Sequence, residues 1–223
     1  MKLTKNQFEE KLKNQELVIT LMGMSNIGKT HWSKKLKNLH FEHKCCDDLI
    51  EKIIEPELTA MGYKGLTDMA KWLGHPFEKQ FPANQGNYLK HENSVMKKIL
   101  QELENKISGN ITIDTTGSVI YTGDYICNKL KEKSLIVFIE ATAQMQQEMF
   151  ERFLKNPKPI VWAHSFNKKE KEADMEALKR CYPELLNYRT NQYRKHADIT
   201  IAYPKTNYYD SAENFLELIK NHL

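Results

Sequence analysis

Apolar residues along this chain fall into short unbroken runs that alternate with stretches of helical spacing. Leu17-Val-Ile-Thr-Leu-Met22 and Leu135-Ile-Val-Phe-Ile139 are runs of strand length with almost no polar interruption. That pattern suits strands covered on both faces of a parallel sheet. Phe41 to Cys46, Ile111-Thr-Ile113 and Ile199-Thr-Ile201 predict three further strands. Between the runs, helices are expected over Phe8 to Leu12, Gly28 to Leu39, Leu49 to Met61, Thr67 to Leu73 and Gln85 to Lys106. Others are expected over Asp124 to Glu132, Gln144 to Leu154 and Glu213 to Ile219. The best defined of these places Val95, Met96, Ile99, Leu100 and Leu103 on one face. Pro56 is expected to bend or divide its helix, and Pro183 to break the helical region before Ile199. Strands alternating with helices predict an α/β fold, a three-layer, doubly wound parallel sheet of about five strands. No internal repeat interrupts the pattern, so residues 1–223 read as one domain.

Composition narrows the class. With 223 residues, 40% hydrophobic and 28% charged, the chain can bury a core without disulfides or metal. No apolar run approaches the roughly 20 residues that span a bilayer. The opening Met1 to Glu10 carries acids and no apolar signal core, so no targeting segment and a cytoplasmic location are expected. The net charge of +4 comes from 33 basic and 29 acidic residues spread along the chain. It reads as a lysine-rich surface and argues for neither nucleic acid nor membrane as a partner. Lys34, Lys35 and His196 are read as surface or local capping groups. Cys45, Cys46, Cys127 and Cys181 form no C-x-x-C pair. His40, His43, Cys45 and Cys46 are close in sequence, but no spacing fixes a metal geometry.

The strongest chemical signal is Gly23-Met-Ser-Asn-Ile-Gly28-Lys29-Thr30, which fits G-x-x-x-x-G-K-[ST] between an expected strand and an expected helix. Glycines let the backbone turn its N–H groups toward an anion, and the helix N-terminus adds a positive dipole end. The loop Gly23, Ser25, Asn26, Ile27 and Gly28 is expected to cradle phosphates with Lys29, Thr30 and His31. Lys29 would reach the β and γ phosphates and Thr30 would offer its hydroxyl to Mg²⁺. No N-K-x-D guanine signature follows, which favours ATP.

Two sets of acids end strands. Asp47 and Asp48 follow the second strand, at the carboxyl edge where such sheets bind ligands. One of them could cap the helix expected from Leu49 while Asp47 orients an attacking hydroxyl or holds magnesium through water. Asp114 ends Ile111-Thr-Ile113 as a Walker B acid would, in reach of Mg²⁺. Thr115, Thr116 and Gly117 would then line a substrate pocket. Trp72, Phe77, Phe81 and Tyr88 are read as core aromatics.

Together these motifs resemble shikimate kinase and its relatives among the small P-loop kinases, over about three-quarters of the chain. Asp47-Asp48-Leu49-Ile50-Glu51 looks like the family's D-x-x-I-E, with Asp47 in place of the aspartate that contacts the substrate hydroxyl. Arg152 to Ile160 resembles the lid ending in R-P-L. The resemblance implies that Arg152 packs on adenine and that Lys158 replaces the lid arginine that meets phosphates and substrate. Arg189 to Asp198 is similar to R-x-P-L-Y followed by A-D, which implies that Arg189 holds an anionic substrate. There are also departures. Cys45 stands where the family often has a magnesium-associated aspartate. Leu89, in Tyr88-Leu-Lys-His-Glu92, stands where the substrate carboxylate's arginine should be. Thr115-Thr116-Gly117 replaces a triple glycine. Leucine offers no bidentate grip on a carboxylate, so phosphoryl transfer is expected to persist with an acceptor other than shikimate.

The expected function is ATP- and Mg²⁺-dependent phosphoryl transfer to a hydroxyl of a small metabolite, with catalytic Lys29, Asp47 and Lys158. Its setting is an enlarged helical segment over 56–106 and a lid over 152–170. The alternative is an ATP-binding regulatory or interaction protein whose kinase activity has decayed. A kinase of nucleosides or nucleic-acid ends draws little support from the modest charge. The sequence points to no obligate protein partner.

Overall fold

The computed structural model describes residues 2–105, 109–155, 158–206 and 210–223. The expected helix end at Lys106 and residues 156–157 of the expected lid over 152–170 lie outside them. The five strands are β1 Val18–Met22, β2 Phe41–Cys45, β3 Asn110–Asp114, β4 Leu135–Glu140 and β5 Ile199–Ala202. They form one sheet in the order β2-β3-β1-β4-β5, with every pairing parallel and helices on both sides. Burial follows position in the sheet. Every residue of central β1 and β3 is buried, whereas edge strands β2 and β5 expose part of themselves. The near-continuous apolar runs of β1 and β4 are thus what a doubly covered interior requires.

The helices are α1 Lys5–Lys13, α2 Lys29–Leu36, α3 Cys46–Ala60, α4 Gly65–Leu73, α5 Phe81–Glu104, α6 Asp124–Lys133, α7 Ala143–Lys155, α8 Asp174–His196, α9 Tyr203–Thr206 and α10 Ala212–Asn221. Between α2 and β2 the expected helix tightens to a 3₁₀ turn over Lys37–Leu39. Neither Pro56 nor Pro183 divides its helix, contrary to expectation. Both prolines face solvent, where water can take the carbonyl that each leaves without an N–H. Buried Ile50, Ile54 and Leu58 hold α3 together across Pro56, and Cys181, Tyr182, Leu185 and Leu186 do so across Pro183. Packing of an apolar stripe outweighs the single lost bond.

Two other boundaries move. α3 begins at Cys46, three residues before the expected Leu49, so Asp47 and Asp48 lie in its first turn and neither is its cap. Carboxylates there are favoured by the helix dipole. α5 begins at Phe81 with Pro82 in its first turn, a placement that proline's missing N–H and fixed φ favour. Trp72, Phe81 and Tyr88 are buried in the core, and Phe77 packs against it.

β1 lies between β3 and β4; the connection that leaves β1 runs to β2 on one side, and the connection that leaves neighbouring β3 runs to β4 on the other. The loop after β1 therefore opens at the carboxyl edge where the topology switches, which is where ligands of such sheets bind.

Candidate active site

The loop between β1 and α2 takes the shape that its glycines allow. Gly23 has φ +148° and Gly28 φ +96°, with Asn26 between them also left-handed at +65°. A Cβ on Gly23 would lie 2.6 Å from the carbonyl oxygen of Ile139, so position 23 excludes every larger residue by contact as well as by φ. Lys29, the first residue of α2, turns back and donates to the carbonyls of Gly23 at 3.0 Å and Met24 at 2.9 Å. It is buried, which lowers its pKa, while the carboxylates of Asp114 and Asp47 act in the opposite sense.

A cavity of about 400 Å³ opens above this loop. Ser25, Asn26, Gly28, Lys29, Thr30 and His31 form one wall, and Cys45, Asp47 and Asp48 another. Lys158 and Pro159 close the third side, with Lys158 donating to Asn26 Oδ1 at 2.7 Å. Burial pushes the Asp47 carboxyl up to about 6; Lys29 opposes the shift and Asp114 adds to it. Burial likewise pushes the neighbouring Cys45 thiol up to about 12. Asp114 is 2% exposed, and neither carboxylate oxygen has a hydrogen-bond partner. An orphaned carboxylate close enough to influence Lys29, with the Thr30 hydroxyl lining the cavity beside it, is a donor set that fits a hard cation such as Mg²⁺.

The segment that follows β3 is built differently. Thr115 donates to the Leu21 carbonyl at 2.8 Å, which tucks its hydroxyl into the sheet. Thr116 bonds to fully buried Glu92, and Ser118 donates to the other oxygen of the same carboxylate at 2.7 Å. Burial pushes the Glu92 carboxyl up to about 7 despite these two hydroxyls. Gly117 marks a close approach: a Cβ there would lie 3.1 Å from Arg189 Nη1 and 3.2 Å from Ser25 Oγ. Arg189 is itself buried, donates to the Val161 carbonyl at 2.5 Å, and lies over the Tyr121 ring. With Ser25, Asn26 and Lys158 it lines a narrow cavity of about 40 Å³ next to the phosphate loop.

No protein-family model and no curated protein matches the chain. Solved structures do match. The shikimate kinase of Acinetobacter baumannii, in complex with shikimate, has a TM-score of 0.58 and 18% identity over 95% of this chain and 94% of that one. The enzyme from Bacteroides thetaiotaomicron gives 0.57 and 16% over 92% and 97%. That from Aquifex aeolicus gives 0.51 and 20% over 91% and 94%. This chain has the shikimate kinase fold.

Within the shikimate kinase fold, the structure gathers most of the residues singled out from the sequence. Ser25, Asn26, Gly28, Lys29, Thr30, His31, Asp47 and Lys158 share the cavity above the loop, and Asp114 is buried and close enough to act on Lys29 and Asp47. Ile27 is buried beneath the loop and packs the turn, its Cγ2 only 3.1 Å from where a Gly23 Cβ would stand. Arg152 stands apart on α7, exposed and paired with Glu148 at 3.0 Å. Thr115 and Thr116 have their hydroxyls engaged internally, and Gly117 lies close against Ser25 of the loop.

Sequence reasoning missed some participants. Lys34 is exposed, as expected, and it also lines the cavity; its place one helical turn after Thr30 was the available signal. His196 is buried, 3.8 Å from Asp124, and not at the surface. Glu92 had a place in the Tyr88–Glu92 segment, but no local pattern showed that it would anchor Thr116 and Ser118 from a distant helix.

Proposed function

We propose that this protein is an ATP-dependent small-molecule kinase that transfers a phosphoryl group to a hydroxyl of a metabolite other than shikimate. The observation that carries the reading is one cavity bringing the phosphate loop, Asp47 and Lys158 face to face. Backbone N–H groups of the loop and the start of α2 bind the phosphates, and Lys29 exchanges its loop carbonyls for phosphate oxygens. Thr30 and Asp114 would hold Mg²⁺, which when bound neutralises phosphate charge. Asp47 orients the acceptor hydroxyl and takes its proton as the bond to phosphorus forms. Lys158, carried by the lid segment 152–170, adds positive charge opposite Lys29 and helps exclude water. Arg152 meets the adenine, and Arg189, beside Gly117 and Ser25, meets an anionic group of the acceptor. Asp47 acts in its ionised form, so turnover rises as pH increases through about 6.

A broad screen of hydroxyl metabolites with ATP and Mg²⁺ tests the proposal; phosphorylation of none of them would count against it. A second reading, an ATP-binding regulatory protein with decayed transfer activity, draws on a different observation. Leu89 replaces the family arginine, Thr115 is bonded to the Leu21 carbonyl, and Thr116 is bonded to Glu92. Under that reading ATP binds, but Asp47→Asn scarcely changes turnover. The chain's location in the cytoplasm remains part of the proposal.

A further inference from the structure

We propose that His43, Cys45 and Asp114 form a binding site for a borderline-soft divalent cation such as Zn²⁺, set into the β2–β3 edge beside the phosphate loop. The site stands whether or not the protein transfers phosphate. His43 and Cys45 are two residues apart on β2, and Asp114 is the register partner of Cys45 on β3. Alternation along the strands puts all three on one face. Their ring nitrogen, thiol sulfur and carboxylate oxygen lie within 4.8 Å of one another, and His43 Nε2 is 3.5 Å from Asp114 Oδ2. Tetrahedral zinc, with bonds of about 2.0–2.3 Å, holds its ligands about 3.3–3.8 Å apart. A small inward movement of these side chains completes three of the four positions.

The second observation is that the His43 and Asp114 groups are buried and unsatisfied. The His43 and Asp114 side chains are 8% and 2% exposed. His43 Nε2 and both Asp114 oxygens have no hydrogen-bond partner. Thr112, two residues before Asp114 on the same face and opposite His43, also has an unpartnered, buried hydroxyl. Ser33 of α2, the helix packed across β2 and β3, has another. Such groups are costly to leave unpaired, and several on one strand face ask for a shared partner. One imidazole, one thiolate and one carboxylate select a borderline-soft ion; Mg²⁺ prefers an all-oxygen shell. On binding, the Cys45 sulfur forms a bond to the cation and releases its proton to solvent. His43 and Cys45 line an open cavity of about 700 Å³ on the outer side, which gives the ion a route in. Asp114 is also the carboxylate assigned to magnesium, so the two cations compete for it.

Titration of Co²⁺ into the reduced, metal-free full chain tests the site. The expected result is one bound cobalt with a thiolate-to-cobalt charge-transfer band that Zn²⁺ displaces. Cys45→Ser should abolish the band, and His43→Gln should weaken cobalt binding by about tenfold or more. Cys127→Ser, remote on α6, should leave the titration unchanged. Circular dichroism of each variant checks that it is folded. Absence of the band in the wild-type chain, its survival in Cys45→Ser, or unchanged affinity in His43→Gln would overturn the proposal.

Discussion

The wall around the phosphate loop and the wall beneath Gly117 are both rich in polar side chains, but they direct them differently. Around the loop, Lys29, Thr30, Asp47 and Lys158 border open space, and Asp114 is left without a hydrogen-bond donor. Beneath Gly117, Thr116, Ser118 and Glu92 satisfy one another, whereas Arg189 bonds to Val161 and lies over Tyr121 but leaves its Nε without a hydrogen-bond partner. The first region is arranged for a ligand that brings its own charge. In the second, the Glu92 carboxylate takes both neighbouring hydroxyls and ties them into the fold.

The comparison can be broken or sharpened by substitution. Asp47→Asn should cut kcat by about 10²- to 10⁴-fold, the usual range for a lost general base, while ATP still binds in calorimetry. Lys29→Ala should weaken ATP by about 2–3 kcal/mol, because a charged hydrogen-bond donor to phosphate is lost. On the other wall, Glu92→Gln should act through stability. The Glu92 carboxyl moves from an ordinary 4.5 up to about 7 on folding. The folded chain thus holds a proton that the unfolded chain has released between those values, and stability falls as pH rises through that window. Glu92→Gln removes this part of the slope, and well above pH 7 it should gain on the order of 2 kcal/mol in urea unfolding. Gly23→Ala, which places a methyl 2.6 Å from the Ile139 carbonyl, should cost about 2 kcal/mol in the same assay and distort the loop. Arg152→Ala, on an exposed residue, should raise the KM for ATP by no more than about 1 kcal/mol in free-energy terms. A large effect at Arg152 with a small one at Asp47 would invert the account.

The two walls also differ in how legible they were. The phosphate loop was readable because its function needs residues at fixed offsets within eight positions, flanked by an apolar run and a helix. β1 and β4 were readable because burial on both faces leaves runs almost without polar residues, and Asp47 and Asp114 followed from strand ends. Helix boundaries were less so. Pro56 and Pro183 suggested breaks, but buried neighbours one turn to either side carry both helices through. The Glu92 cluster joins α5 to the segment after β3 across 24 residues, and the His43–Asp114 approach depends on strand register. Neither relation has a local pattern. Leu89 and Cys45 could be seen as departures from the family, but which groups would compensate could not.

The most direct measurement follows the γ-phosphate itself. The full chain is incubated with ATP labelled there, Mg²⁺ and a mixture of hydroxyl metabolites, and the label is tracked. The account predicts that label leaves ATP for an organic acceptor in the wild-type chain and stays on ATP with Asp47→Asn. Label that remains on bound ATP, or passes only to water, would contradict it.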